Sequence, residues 1–346
     1  MQGETEMVSN INVVSGTSGD DFLVGTPQND AIDGDAGRDV LLGSFGDDAL
    51  SGGPGNDFIY GGAGIDVLDG DDDEDTMFGG DGLDALSGGN GNDALYGGNS
   101  RDALDGGSGD DAVFGGSGVD ALNGGFGDDG LFGNEGNDVL NGGDGNDALF
   151  GNQDNDILFG DKGNDVLNGG DGNDALNGSD DNDALYGGNG NDVLNGDNGN
   201  DVMYGNNGND VLNGDNGNDI LFGGSGNDVL YASTGIDTLT GGAGIDVFSL
   251  LKGGGQDIIK DFVVADDIIL VSAADFGGGL TPGTPLEIDQ FVLGATANNA
   301  SEQFIYNGTN GALFFDVDGT GGTGQQQIAT LSPGLGLTNN NFFVIG

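Results

Sequence analysis

The chain has 346 residues, 78 of them glycine, and sets 60 Asp and Glu against five Lys and Arg, for a formal net charge of −55. A compact chain with that charge repels itself unless counter-ions are fixed inside it, so no nucleic acid partner is expected and anionic membrane surfaces are very poor partner candidates. Cys, His and Trp are absent, which removes thiolate and imidazole chemistry and leaves oxygen as the donor for any metal, the preference of hard cations such as calcium.

In chain order, residues 1–15 show neither a basic segment nor an apolar stretch, so no cleavable signal peptide is expected. The run "NINVV" within them reads as one capping strand. From Gly16 the chain repeats in nines to Ser249 without insertion or deletion, which makes 26 units. A simple disordered low-complexity chain does not hold a phase over such a length. The sixth position is Asp throughout the first half: Asp21, Asp30, Asp39, Asp48, Asp57, Asp66, Asp75, Asp84, Asp93, Asp102, Asp111, Asp120 and Asp129. It remains Asp through the second: Asp138, Asp147, Asp156, Asp165, Asp174, Asp183, Asp192, Asp201, Asp210, Asp219, Asp228, Asp237 and Asp246. The eighth position is always a large apolar residue, such as Leu23, Ile32, Met77, Leu140 or Phe248. The first is Gly in every unit but that of Ala232, and the fourth is Gly except at Gln28, Asp73, Ser100, Asp154 and Asp181.

Glycines at positions one, two and four permit positive φ, so the chain can turn tightly and present its carbonyls. Positions seven to nine form a short strand whose middle side chain points one way and whose neighbours point the other. One unit cannot bury its single apolar side chain; two units make a flattened coil, and stacked coils bury a continuous row. The turns stack as well, bringing aspartates and carbonyls together between coils, an oxygen cage suited to calcium.

The pattern G-G-x-G-x-D-x-U-x over residues 16–249 resembles the RTX, or haemolysin-type, calcium-binding nonapeptide repeat family. That resemblance implies an all-β fold: a right-handed parallel β-roll solenoid of about 13 coils, with each calcium shared by the Asp side chains of units two apart and by turn carbonyls. Asp192 and Asp210 would share one site, and Asp201 and Asp219 another on the opposite edge. It also implies a secreted, extracellular or surface-associated protein, exported uncleaved by type I secretion machinery. All 26 aspartates are then metal ligands, for at most about 24 calcium ions, whose charge would bring −55 to roughly −7. Without metal the roll is expected to be an expanded, disordered chain. Five units depart from the pattern in replacing the fourth glycine. "GTPQND" (25–30) and "GGNSRD" (97–102) are the first expected to be weak or empty sites, because Gln and Ser suit left-handed backbone less well than Asp or Asn. In the second, Arg101 is placed to substitute its charge for the metal's.

From residue 250 the repeat stops and short strands are expected in "DIIKDFVV", "DDIILVS", "QFVLG", "EQFIYNG", "GALFFDVDG" and "QQIATLS". "FIYNGTNGALFF" reads as a hairpin with its turn at 307–311. The organisation expected is an N-terminal cap strand (1–15), the roll (16–249) and a C-terminal β-rich cap (250–346) covering the open sheet edges. "LTNNNFFVIG" at the end resembles a type I secretion tail, and "DVDGTG" (316–321) reads as an acidic turn or one more calcium loop.

No catalytic motif is present, and every regular carboxylate sits at a ligand position, so no enzyme is expected. The favoured function is a structural or surface protein whose roll folds on extracellular calcium. The alternative is a calcium-dependent secretion or adhesion module acting with a separate effector chain. Ice binding needs a regular threonine row, whereas position three carries Thr only at Thr234. The ninth position alternates instead: aromatic in most odd units (Tyr60, Phe78, Tyr96, Phe114, Phe132, Phe150, Tyr186, Tyr204, Phe222), polar in most even ones. One outer face is thus expected to carry a ring row that braces neighbouring strands or serves homo-association and surface adhesion.

Overall fold

A computed structural model describes residues 11–277, 279–319 and 324–346. The chain divides into two compact units, Met1–Lys162 and Gly163–Gly346. In the first, each nonapeptide supplies a turn and a strand, and successive strands go to two different sheets. Asn12–Thr17, Asp30–Asp35, Ala49–Ser51 and their successors to Ile157–Lys162 make one parallel sheet. Phe22–Val24, Val40–Phe45, Phe58–Gly64 and the rest to Ala148–Gln153 make the other.

The register is eighteen residues, so like meets like: Leu95 lies opposite Met77 on one side and Val113 on the other. Strand side chains alternate, which sends the eighth position inward and its neighbours out. Leu41, Ile59, Met77 and Leu95 accordingly form a fully buried column. A one-residue slip would turn that column to solvent, so the strict phase of the sequence locks the pairing. Outside, the ninth-position rings stack face to face: Phe78, Tyr96, Phe114, Phe132 and Phe150 follow one another at centroid spacings of 4.6 to 5.1 Å.

The second unit repeats this plan. Val166–Asp171 to Thr238–Ala243 form one sheet and Ala175–Asp180 to Val247–Leu250 the other. Tyr186, Tyr204 and Phe222 stack in the same manner. Parallel pairing runs on past the last nonapeptide, with Asp257–Ile259 beside Thr238–Ala243 and Ile268–Ser272 beside Val247–Leu250. Both units are parallel β-rolls.

The segments after residue 272 cover the strand edges that the roll leaves open. Phe342–Ile345 pairs with Ile268–Ser272, and Gln326–Thr330 with Asp257–Ile259. The expected hairpin is present, with Phe304 opposite Phe315 and Asn307 opposite Ala312. Phe276, Phe304, Phe315 and Phe342 pack beneath it with centroids 4.9 to 5.5 Å apart. Of the expected N-terminal cap, Asn12–Thr17 is a strand, while residues 1–10 lie outside the described residues. The loop read at 316–321 lies partly outside them too; its Asp316 Oδ1 accepts the N–H groups of Asp318 and Gly319.

Candidate metal centre

Every turn from the third nonapeptide onward is built on a left-handed residue at position two. Glycine fills most of these positions, but Asp35 (φ 73°), Ser44 (φ 91°) and Asn134 (φ 79°) take the same conformation. After this reversal the sixth-position Asp closes the turn, with its side chain folded back over the first glycine of its own unit. Asp30 to Asp246 are all buried, whereas Asp21 is partly exposed.

Each carboxylate has two different oxygens. Oδ1 accepts the backbone N–H of the Asp eighteen residues earlier: Asp21 to Asp39 at 2.7 Å, Asp93 to Asp111 at 2.7 Å, Asp192 to Asp210 at 2.8 Å. The expected pairs Asp192/Asp210 and Asp201/Asp219 are therefore neighbours, joined through one backbone N–H each. Oδ2 is buried without any hydrogen-bond donor at every ninth residue from Asp39 to Asp138, and again from Asp183 to Asp237. Nor does it face empty space. A Cβ built on Gly34 would lie 2.5 Å from Asp39 Oδ2 and 2.5 Å from the Gly52 carbonyl oxygen, and one on Gly43 would meet Asp48 Oδ2 and the Gly61 oxygen likewise. The second unit has the same cradle, where Gly223 faces Asp228 Oδ2 at 2.5 Å and the Gly241 oxygen at 2.6 Å. Two acceptors confront each other across a space kept open by the missing side chain, which is an unsatisfied arrangement without a positive charge.

The titration of these groups agrees. Burial, offset in part by the backbone N–H and reinforced by neighbouring carboxylates, pushes Asp111, Asp129, Asp192 and Asp219 up to about 7. Asp75 rises to about 8, with Asp93, Asp57 and Asp73 adding to the effect of burial. Among the described residues no three carboxylates converge on one point. A bound ion must therefore draw on backbone carbonyls, which is ordinary for calcium with its six to eight oxygen ligands.

A model of the RTX calcium-binding nonapeptide repeat, four copies long, matches in overlapping or abutting blocks from residues 15–50 to 222–259 and leaves no gap between them. The chain belongs to the RTX calcium-binding nonapeptide repeat family. No curated protein matches it. It is thus a calcium-binding repeat protein, and the oxygen cradles are what this family's repeat builds here.

The irregular RTX units differ among themselves. Asp73, Ser100, Asp154 and Asp181 keep the left-handed conformation of the glycines they replace, at φ 80°, 84°, 70° and 78°. In "GGNSRD", Asp102 Oδ2 has no partner and burial lifts this group to about 7. Arg101 therefore does not neutralise it, and this turn resembles its regular neighbours. In "GTPQND" Gln28 does not take positive φ, and Asp30 Oδ2 is held by Thr26. Sequence reasoning missed Asp257. It accepts the Asp237 N–H on Oδ1, its Oδ2 is buried without a donor, and burial raises it to about 7. The signal was "GGGQDII" (253–259), a nonapeptide core displaced by two inserted residues and included in the last matched block. Asp267 continues the ladder by accepting the Asp246 N–H, but its Oδ2 accepts the Val263 N–H, so it differs from the ladder members.

Proposed function

We propose that the protein is a secreted structural or surface protein whose rolls close as extracellular calcium enters the turns. In this reading the ligands are the carboxylates at nine-residue steps from Asp39 to Asp246, with Asp257, joined by first-position carbonyls such as those of Gly52, Gly61 and Gly241. The observation that carries it is the row of buried Oδ2 atoms set against carbonyl oxygens with no donor between them. A divalent cation there converts acceptor repulsion into attraction and offsets part of the −55 charge.

Extracellular calcium modules bind at roughly 0.1–1 mM. Cytosolic calcium would leave such a chain open, and the outside medium would close it, which suits passage through a narrow export channel. The segment 337–346, read as the export signal, has Phe342 and Val344 buried in the folded cap, so it would be legible only before folding. Export with a type I secretion system is the test. The protein is expected in the medium, folded when calcium is supplied, and export is expected to fail when 337–346 is deleted. Retention of the intact chain inside such cells, or undiminished export of the deletion, would overturn the secretion reading.

A further inference from the structure

Thr17 and Thr26 occupy position two of the first two nonapeptides. From Asp35 to Gly242 that position has positive φ in every later unit. A β-branched residue is poorly tolerated in left-handed backbone, and neither threonine adopts it. The two turns close differently as a result. The Thr17 N–H donates to Asp21 Oδ2 at 2.6 Å and its hydroxyl to the same oxygen at 2.9 Å. The Thr26 N–H donates to Asp30 Oδ2 at 2.6 Å, with its Oγ1 3.1 Å from that atom.

The oxygen that is orphaned in the succeeding turns therefore has two donors here. The opposing carbonyl is still in place: the Gly43 oxygen lies 2.5 Å from a Cβ built on Gly25, and Asp30 Oδ2 lies 2.6 Å from it. The donors on Oδ2 set these turns apart from the cradle at Gly34 and Asp39. Successive units alternate between the two sheets, so Thr17 and Thr26 mark the first nonapeptide turn on each edge of the roll.

We propose that Thr17 and Thr26 stand in for the cation, so that the first turn on each edge closes without metal and the metal-bearing series begins at Asp39 and Asp48. The inference rests on the calcium reading above. Hydrogen bonds to a carboxylate are among the stronger ones, and two on one oxygen offset the desolvation that a metal offsets elsewhere. The hydroxyl can rotate away, but the N–H is fixed by a backbone that threonine keeps out of the left-handed region. Calcium would have to break that N–H bond to enter. The roll thus starts on a coil whose geometry does not wait for calcium, against which the first metal-bearing turn can close.

Crystals of the full chain grown with calcium and exchanged into terbium would resolve the sites by anomalous scattering. Peaks are expected in the turns from Asp39 onward and none within coordination distance of Asp21 or Asp30. The Thr17→Gly/Thr26→Gly variant should gain one peak on each edge. Asp48→Ala should lose its peak while Asp30→Ala loses none, which tests the same point if the glycine variant does not fold. A wild-type peak on Asp21 or Asp30, or a glycine variant with its other turns filled and no new peak, overturns the inference. Absence of peaks from every turn would refute the calcium reading and this inference with it.

Discussion

Protons and calcium compete for the same buried oxygens, so pH is a direct perturbation of the ladder. Burial, the largest cause, holds Asp111, Asp129, Asp192 and Asp219 at about 7 and Asp75 at about 8, against an ordinary 3.8. An ion needs the ionised form, so below these values each binding event must release protons. One proton per ion weakens apparent affinity about tenfold for each pH unit below the pKa, and two about a hundredfold. For the metal-free roll the sign is opposite. The folded-state values lie above the unfolded one, so the stability contributed by the bound protons is fully present below 3.8 and is lost as pH rises through about 6 to 8. A protonated Oδ2 becomes a donor to the glycine carbonyl it faces, so acid partly replaces the metal. Circular dichroism at constant ionic strength can follow both effects. With one proton released per ion, the calcium midpoint should rise roughly two- to ninefold between pH 7 and pH 6 for carboxyls that titrate at about 6 to 8, and the chelated chain should gain β signal as pH falls towards 5. A midpoint that stays flat between pH 8 and pH 6 while the chelated chain gains β signal over the same range would refute the argument that the ligands are these buried, proton-holding carboxylates.

Three substitutions extend the test. Gly43→Ala puts a methyl group 2.5 Å from both Asp48 Oδ2 and the Gly61 oxygen; it should raise the calcium midpoint and cost about 1–3 kcal/mol in calcium-saturated urea unfolding. Asp257→Asn removes the orphaned carboxylate of the displaced repeat, and equilibrium dialysis should find one calcium ion fewer per chain; an unchanged count would remove Asp257 from the ligand set. Phe114→Ala breaks the ring contacts with Tyr96 and Phe132 at 4.8 Å each. It should destabilise the loaded roll by about 1–3 kcal/mol beyond the lost buried area without changing the number of ions bound, and unaltered urea unfolding would contradict a bracing role for the row.

Much of the fold was legible because a nine-residue period leaves little freedom. The invariant apolar eighth position had to point inward, and Leu95 between Met77 and Val113 is the eighteen-residue register that follows. The alternation at position nine likewise placed Phe78 to Phe150 on one face. Two features of the site were not legible. Asp257 was lost because a strict phase cannot see past two inserted residues, although the strand it opens still pairs in register with Thr238 and Leu239. Thr17 and Thr26 drew no expectation of their own, since attention to the fourth glycine hid the fact that position two is the left-handed residue in the later turns. The closing strand Phe342–Ile345 pairs with residues some seventy positions earlier, and no local pattern specifies such a partner.

The central claim is that calcium completes this fold, and a far-ultraviolet circular dichroism titration of the full chain from excess chelator into millimolar calcium at pH 7.5 tests it most directly. The account predicts a mostly disordered spectrum in chelator and a cooperative gain of β structure on adding calcium. Magnesium should be a poor substitute, because it dehydrates reluctantly and demands stricter geometry. A full β spectrum in chelator at that pH, unchanged by calcium, would contradict it.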